Sequence, residues 1–284
     1  MARQKILIDC DPDHDDAVAI LYAARHLDGV GITPCHGYTD IENVTHNALS
    51  ILTFGGLDIS LVKGGAAPLN GKLRSSAEAH GSTGLDGAVL PVSRQTAIEM
   101  HAVEFLIEQA LTYRDELMLA VIGPVVEYNT SCDPKAAAIL FACGAPSAWS
   151  AKMSPHAPAP TKPTSRICTG TKTSREPSPI YLRSIAPTRK NFSVSISPPC
   201  MMAAPPPPIV DDTQLTYRHC HVGVGLSGTL TRGMMVCDLR TFTRTGQAIR
   251  GVGLANARVT IGANAPKLIS AVVETLQSVT HTES

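Results

Sequence analysis

The chain has 284 residues, 44% of them hydrophobic, with 24 basic and 24 acidic side chains and a formal net charge of zero. That length supports one large core or two small ones. The balanced charge offers no basic surplus for nucleic acid or an anionic membrane, and no apolar run reaches the ~18 residues that span a bilayer. Eight cysteines are present, at positions 10, 35, 132, 143, 168, 200, 220 and 237, and none forms a Cys-x-x-Cys pair. Zinc-finger and thioredoxin-like readings therefore lack support, and reduced thiols in a cytoplasmic protein are the simplest expectation. The first residues run straight into an apolar strand without the order of regions that marks a signal peptide.

Lys5 to Cys10 is a short apolar run that reads as a buried parallel strand. Asp16 to Leu27 follows as a helix, capped by Asp15, with Val18, Leu21 and Tyr22 at helical spacing. Gly29 and Gly31 break it, and Val30 to Cys35 is the second strand. A second helix is expected over Ile41 to Phe54, a third strand over Leu57 to Val62, an amphipathic helix over Glu99 to Tyr113, and a strand over Leu117 to Ile122. Alternating strands and helices predict an α/β fold: a mostly parallel sheet with flanking helices, a Rossmann-like core with its site at the carboxyl ends of the strands.

The middle breaks this pattern. Residues 147–208 hold 13 of the 21 prolines, eight Lys or Arg and one acidic residue, a net +7 that leaves −7 for the remainder. A structureless insert of this length and composition suits disorder. Order resumes near Ile209, with strands expected over His221 to Ser227, Gly233 to Leu239 and Ala255 to Gly262, and a closing helix over Pro266 to Val279. The organisation is therefore an N-terminal α/β part (1–146), a Pro-rich, disordered or out-of-frame segment (147–208), and C-terminal strands and helix of the same domain (209–284).

The chemistry concentrates in Asp9-Cys10-Asp11-Pro12-Asp13-His14-Asp15-Asp16, five aspartates in eight residues. Such carboxylates at one strand end repel each other and raise each other's pKa unless a cation is present. All-oxygen ligands suit a hard cation, calcium or magnesium. Asp9 and Asp11 share one side of the strand end, while Asp15 and Asp16 point back from the first helical turn, where the dipole favours negative charge. A polar loop with ordinary caps would need one carboxylate, not five.

The run Leu7 to Ala19 resembles the signature of the inosine–uridine-preferring nucleoside hydrolases, Asp-x-Asp-Pro-Gly-x-Asp-Asp-Ala. His80-Gly81-Ser82-Thr83-Gly84 resembles that family's His-Gly-x-x-Gly loop, and Leu119 to Pro124 resembles a strand whose backbone carbonyl ligates the metal. Glu127-Tyr128-Asn129 with Asp133-Pro134 resembles its Glu-Phe-Asn…Asp-Pro segment, and Leu226 to Asp238 its C-terminal strand pair. The similar stretches cover roughly 1–146 and 209–280.

The resemblance implies a calcium-dependent N-ribohydrolase that cleaves nucleosides to ribose and free base, in nucleoside catabolism and purine salvage. It implies Asp11 as metal ligand and general base, Asp16 as a second ligand, and the Ile122 carbonyl as a third. Asp15, Glu127 and Asn129 would hold the ribose, with Asp9 and His80 in support. The partner is then a small nucleoside, with no nucleic acid or membrane, and the intact family suggests a homo-oligomer. The chemistry is coherent: carboxylates stabilise an oxocarbenium-like ring, and a metal lowers the pKa of its water.

The chain also departs from that pattern. Asp13 replaces a Gly, so the turn is expected to be strained if it needs positive φ. Gly37-Tyr38 stands where Gly-Asn is usual, and Gly123-Pro124 runs at once into Glu127, as if a β-α unit were deleted. No His-Asp pair follows downstream of the cluster; the corresponding region reads Pro199-Cys200-Met201-Met202-Ala203. If Cys200 is encoded TGC, the frame starting at its third base reads CAT-GAT-GGC, His-Asp-Gly. Residues around 147–208 are accordingly read as translated out of frame or mis-spliced, with a genuine Pro-rich insert as the alternative. Loss of an acid for the leaving base, worth roughly 10²–10⁴-fold, predicts an impaired or inactive chain. A ribose- or metal-binding remnant without turnover is the alternative. A haloacid-dehalogenase-type phosphatase with Asp9 as nucleophile fits less well, because no hydroxyl residue follows Asp11. His219-Cys220-His221 and Gly251-Val252-Gly253 are weak site signals without a partner motif.

Overall fold

A computed structural model describes residues 3–37, 39–69, 81–123, 133–143, 148–149, 210–238 and 254–280. The order of elements is β1 (Lys5–Cys10), α1 (His14–His26), β2 (Asp28–Pro34), α2 (Ile41–Gly55), α3 (Ala102–Tyr113), β3 (Leu117–Val121), α4 (Pro134–Ala142), β4 (Ala148–Trp149), β5 (Leu215–Val224), β6 (Met235–Asp238), β7 (Ala257–Ala263) and α5 (Ala265–Thr280).

The first sheet is parallel, with β1 between β2 and β3. Single parallel bridges, Ile32 to Leu61 and Val62 to Ile98, continue it beyond β2. The expected strand over Leu57 to Val62 is thus reduced to two bridging residues. The central strand is covered on both faces, which is why it is apolar without alternation. Ile6 and Ile8 join the larger core, with α1, α2 and the Val272 and Leu276 side chains of α5. Leu7 faces the other way, into a smaller core with Val62, Ala102 and Phe105.

The second sheet has the order β4-β7-β5-β6. Only β4 with β7 is parallel there; β5 pairs antiparallel with both β6 and β7. Strand β5 begins at Leu215, six residues before the expected start, because its first half pairs with β7. Its core is small: Phe141, Cys220, Val222, Ala257 and Val259. The two parts meet where α5 lies on α1, and there His26 Nε2 and Thr275 Oγ1 are 2.8 Å apart. Among the described residues no helix is long and apolar enough to cross a membrane. The α/β class holds. The expected disorder of 147–208 lies outside the described residues except at 148–149, which form β4.

Candidate active site

The aspartates gather where β1 hands over to α1. Helix α1 starts at His14 because Asp13 caps it: Asp13 Oδ1 accepts from the backbone N–H groups of Asp15 at 2.9 Å and Asp16 at 3.2 Å. The cap is therefore Asp13, not the expected Asp15. Asp13 has φ −118°, extended backbone open to any residue, so the expected strain is absent. What the aspartate brings instead of strain is a capping acceptor and one more buried charge.

Asp9 lies opposite Thr33 in β2 and Val121 in β3. Its carboxylate accepts from the Thr33 hydroxyl at 2.8 Å and the Cys35 thiol at 3.8 Å. Burial pushes its pKa up to about 6 against those two hydrogen bonds. Asp11, one step past the strand, is 5% exposed. Its backbone N–H donates to Asp16 Oδ2 at 3.0 Å. The Asp11 carboxylate rests directly on Gly37, where a Cβ would stand 1.8 Å from Oδ2. Only glycine admits that approach.

Asp16 is 8% exposed, and burial first, then the carboxylates of Asp13, Asp11 and Asp15, raises its pKa well above the ordinary value. Asp13 is raised in the same direction, by burial and then by Asp15 and Asp11. Asp15 Oδ1 is buried with no hydrogen-bond partner. Ile122 sits just past β3, tied down by its N–H to the Asp9 carbonyl at 2.8 Å.

The neighbouring loop is clasped onto the same end. Asn47 of α2, 5% exposed, donates from Nδ2 to the carbonyls of Pro12 at 3.0 Å and Thr83 at 2.7 Å. Asp86 closes the loop by accepting from the N–H groups of Ser82 and Thr83 and from the Thr83 hydroxyl. Gly81 adopts φ 82° hard against the Asp86 carboxylate. Asn47 and Asp86 were not singled out from the sequence, although Asp86 stands in the loop that resembles the family's.

The structure thus brings Asp9, Asp11, Asp15, Asp16 and Ile122 to one strand end. The expected ribose residues Glu127 and Asn129 and the supporting His80 lie outside the described residues. His36 went unmarked as well: it is 6% exposed, at the carboxyl end of β2, two residues beyond Pro34. A lone histidine carries little signal in sequence.

The donor set is all oxygen, crowded and withdrawn from water, and that suits a hard divalent cation. A buried carboxylate oxygen without a partner, on Asp15, points the same way. Among the described residues no group of three His, Cys, Asp or Glu side chains stands ready to hold an ion. The cluster fits part of a metal site rather than a closed coordination shell.

Residues 6–126 match the family model described as inosine-uridine preferring nucleoside hydrolase. The chain belongs to the nucleoside hydrolase family. It is 29% identical over 184 residues to the pyrimidine-specific ribonucleoside hydrolase RihB of Escherichia coli (strain HS), covering 51% of this chain and 58% of the relative. The RihB protein of Escherichia fergusonii matches to the same extent. The chain therefore spans little more than half the length of these curated relatives. Its fold resembles the purine-preferring ribonucleoside hydrolase from Gardnerella vaginalis, with a TM-score of 0.71 at 19% identity, over 97% of this chain and 99% of that one. The plant nucleoside hydrolase PpNRh1 follows at 0.69 and 19%, over 96% and 99%. The inosine-uridine preferring nucleoside hydrolase from Bacillus anthracis gives 0.61 at 12%, over 97% and 99%.

Proposed function

We propose that this nucleoside hydrolase family member binds calcium and ribose through its aspartate cluster and hydrolyses the N-glycosidic bond of ribonucleosides weakly or not at all. The observation that carries the reading is the position of Asp11. It is buried at the carboxyl end of the central parallel strand, pressed on Gly37, with Asp16 accepting from its N–H. Ligands of open α/β sheets bind at that end.

In this reading Asp11 and Asp16 hold the cation, with the Ile122 carbonyl as a further oxygen. The ion supplies an acidified water and offsets the carboxylate repulsion. Asp11 is placed to take the proton of the attacking water. Asp15 offers its unpartnered Oδ1 to a ribose hydroxyl. Asp9 stands behind, held by Thr33 and Cys35, and steadies the strand end. Glu127 and Asn129 complete the sugar contacts, and His80 supports the loop. The substrate is a small nucleoside, in a homo-oligomeric cytoplasmic protein of nucleoside catabolism.

Turnover is limited because the sequence downstream of the cluster contains no His-Asp pair to protonate the departing base and finish the metal shell. Residues 147–208 are the proposed site of that loss, as an out-of-frame or disordered segment between the two folded parts. Release of free ribose from inosine and uridine, with calcium added, tests the reading. Little or no release beside measurable calcium binding is expected, and robust turnover overturns the proposed impairment.

The same geometry favours a second reading, a calcium- or ribose-binding protein without any hydrolysis, because no three ligating side chains converge among the described residues. Tight calcium binding with no detectable ribose release, even at high enzyme concentration, selects it.

A further inference from the structure

We propose that His36 is a ligand-contacting residue of this site, its Nε2 accepting a hydrogen bond from a hydroxyl of the bound sugar. The inference rests on the reading of the aspartate cluster as a ribose site and deepens it.

His36 lies between two residues that touch the cluster. Cys35 donates its thiol to Asp9, and Gly37 carries the Asp11 carboxylate against its Cα. The backbone at His36 is anchored, with its N–H donating to the Gly65 carbonyl at 2.9 Å. The ring is anchored to the same carbonyl, with Nδ1 at 3.2 Å. A carbonyl oxygen can only accept, so Nδ1 carries the proton in that contact. In the neutral ring Nε2 is then a bare acceptor. It is buried and has no hydrogen-bond partner, on a side chain only 6% exposed.

A buried acceptor left unpaired is costly, so such atoms normally have a partner. The partner must donate. The nearby carboxylates, when ionised, cannot, because they too only accept. A sugar hydroxyl can, and the carboxyl ends of these strands are where a ligand enters the fold. Asp15 Oδ1 and His36 Nε2 thus form two orphaned acceptors at one end of the sheet, both matched by a polyol.

The test uses the full chain with saturating calcium and D-ribose as the probe, read by titration calorimetry and thermal unfolding. Two variants separate the ring nitrogens. In His36→Asn the amide nitrogen takes the place of Nδ1 and keeps the bond to Gly65 while deleting Nε2. In His36→Gln the amide reaches the Nε2 position and gives up the Gly65 bond. Ribose affinity is expected to fall roughly 5–10-fold in His36→Asn with the melting temperature held, the effect of one lost hydrogen bond. His36→Gln is expected to melt lower and bind ribose more tightly than His36→Asn. Unchanged affinity in His36→Asn, with wild-type binding that Asp15→Asn abolishes, overturns this inference and leaves the ribose site standing. No ribose binding by the wild-type chain overturns both.

Discussion

The two sheets of this molecule solve burial differently, and the contrast explains where its chemistry can sit. In the parallel sheet, β1 is covered on both sides, and Ile6 and Leu7 are wholly removed from water. Residues at its end are therefore buried whether apolar or not, and Asp11 and Asp16 keep their place only because backbone donors and a glycine receive them. In the antiparallel sheet the strands alternate, so that Val222 is buried while Val236 is 60% exposed. Such a sheet covers α4 and extends the fold, yet it imposes no comparable burial on its polar residues. Perturbed carboxylates belong to the first sheet for that reason.

That contrast can be broken at defined points. The largest effect is expected for Gly37→Ala. Its Cβ would overlap the Asp11 carboxylate, so strand end and carboxylate must part, at about 3 kcal/mol of stability and with weaker calcium binding. Chemical denaturation and calcium titration measure the two effects. Asn47→Ala comes next. It strips the buried carbonyls of Pro12 and Thr83 of a shared donor, at about 2 kcal/mol, and loosens the 81–87 loop toward proteolysis.

Asp13→Asn has the opposite sign. Asparagine caps as well as aspartate, while one charge leaves the buried cluster, so the calcium-free melting temperature is expected to rise by about 2–4 °C, equivalent to ~1 kcal/mol. The smallest effect lies where the two parts meet. Burial, then Arg25 and Arg3, lowers the His26 pKa, so the folded chain binds fewer protons there than the unfolded one. Stability from this contact is present above about pH 6.5 and is lost as pH falls below it. Melting curves of His26→Gln are expected to show less dependence on pH over that range.

Much of the first sheet was legible in the sequence because burial on both faces leaves continuous apolar runs. Lys5–Cys10 carries the boundaries that its composition predicts. The helix start was misjudged by two residues, because Asp13 read as an oddity in a glycine position when it is the cap. The strand expected at Leu57 to Val62 dissolved into bridges, since its partners meet it at single residues only. Within the site, the aspartates announced themselves by number, whereas Asn47 and His36 did not. Their roles depend on carbonyls brought close by the fold, and spacing along the chain does not encode that.

The central claim is that the cluster is a cation site built by the first sheet alone. Thermal unfolding of the full chain, wild type and Asp11→Asn, with and without calcium, addresses it directly. Calcium at about 100 times its Kd should stabilise the wild-type chain by roughly 2.7 kcal/mol. Asp11→Asn, relieved of one buried charge, should melt higher than wild type without calcium and gain nothing when it is added. A wild-type chain indifferent to calcium, or an Asp11→Asn chain stabilised as much as wild type, would contradict the account.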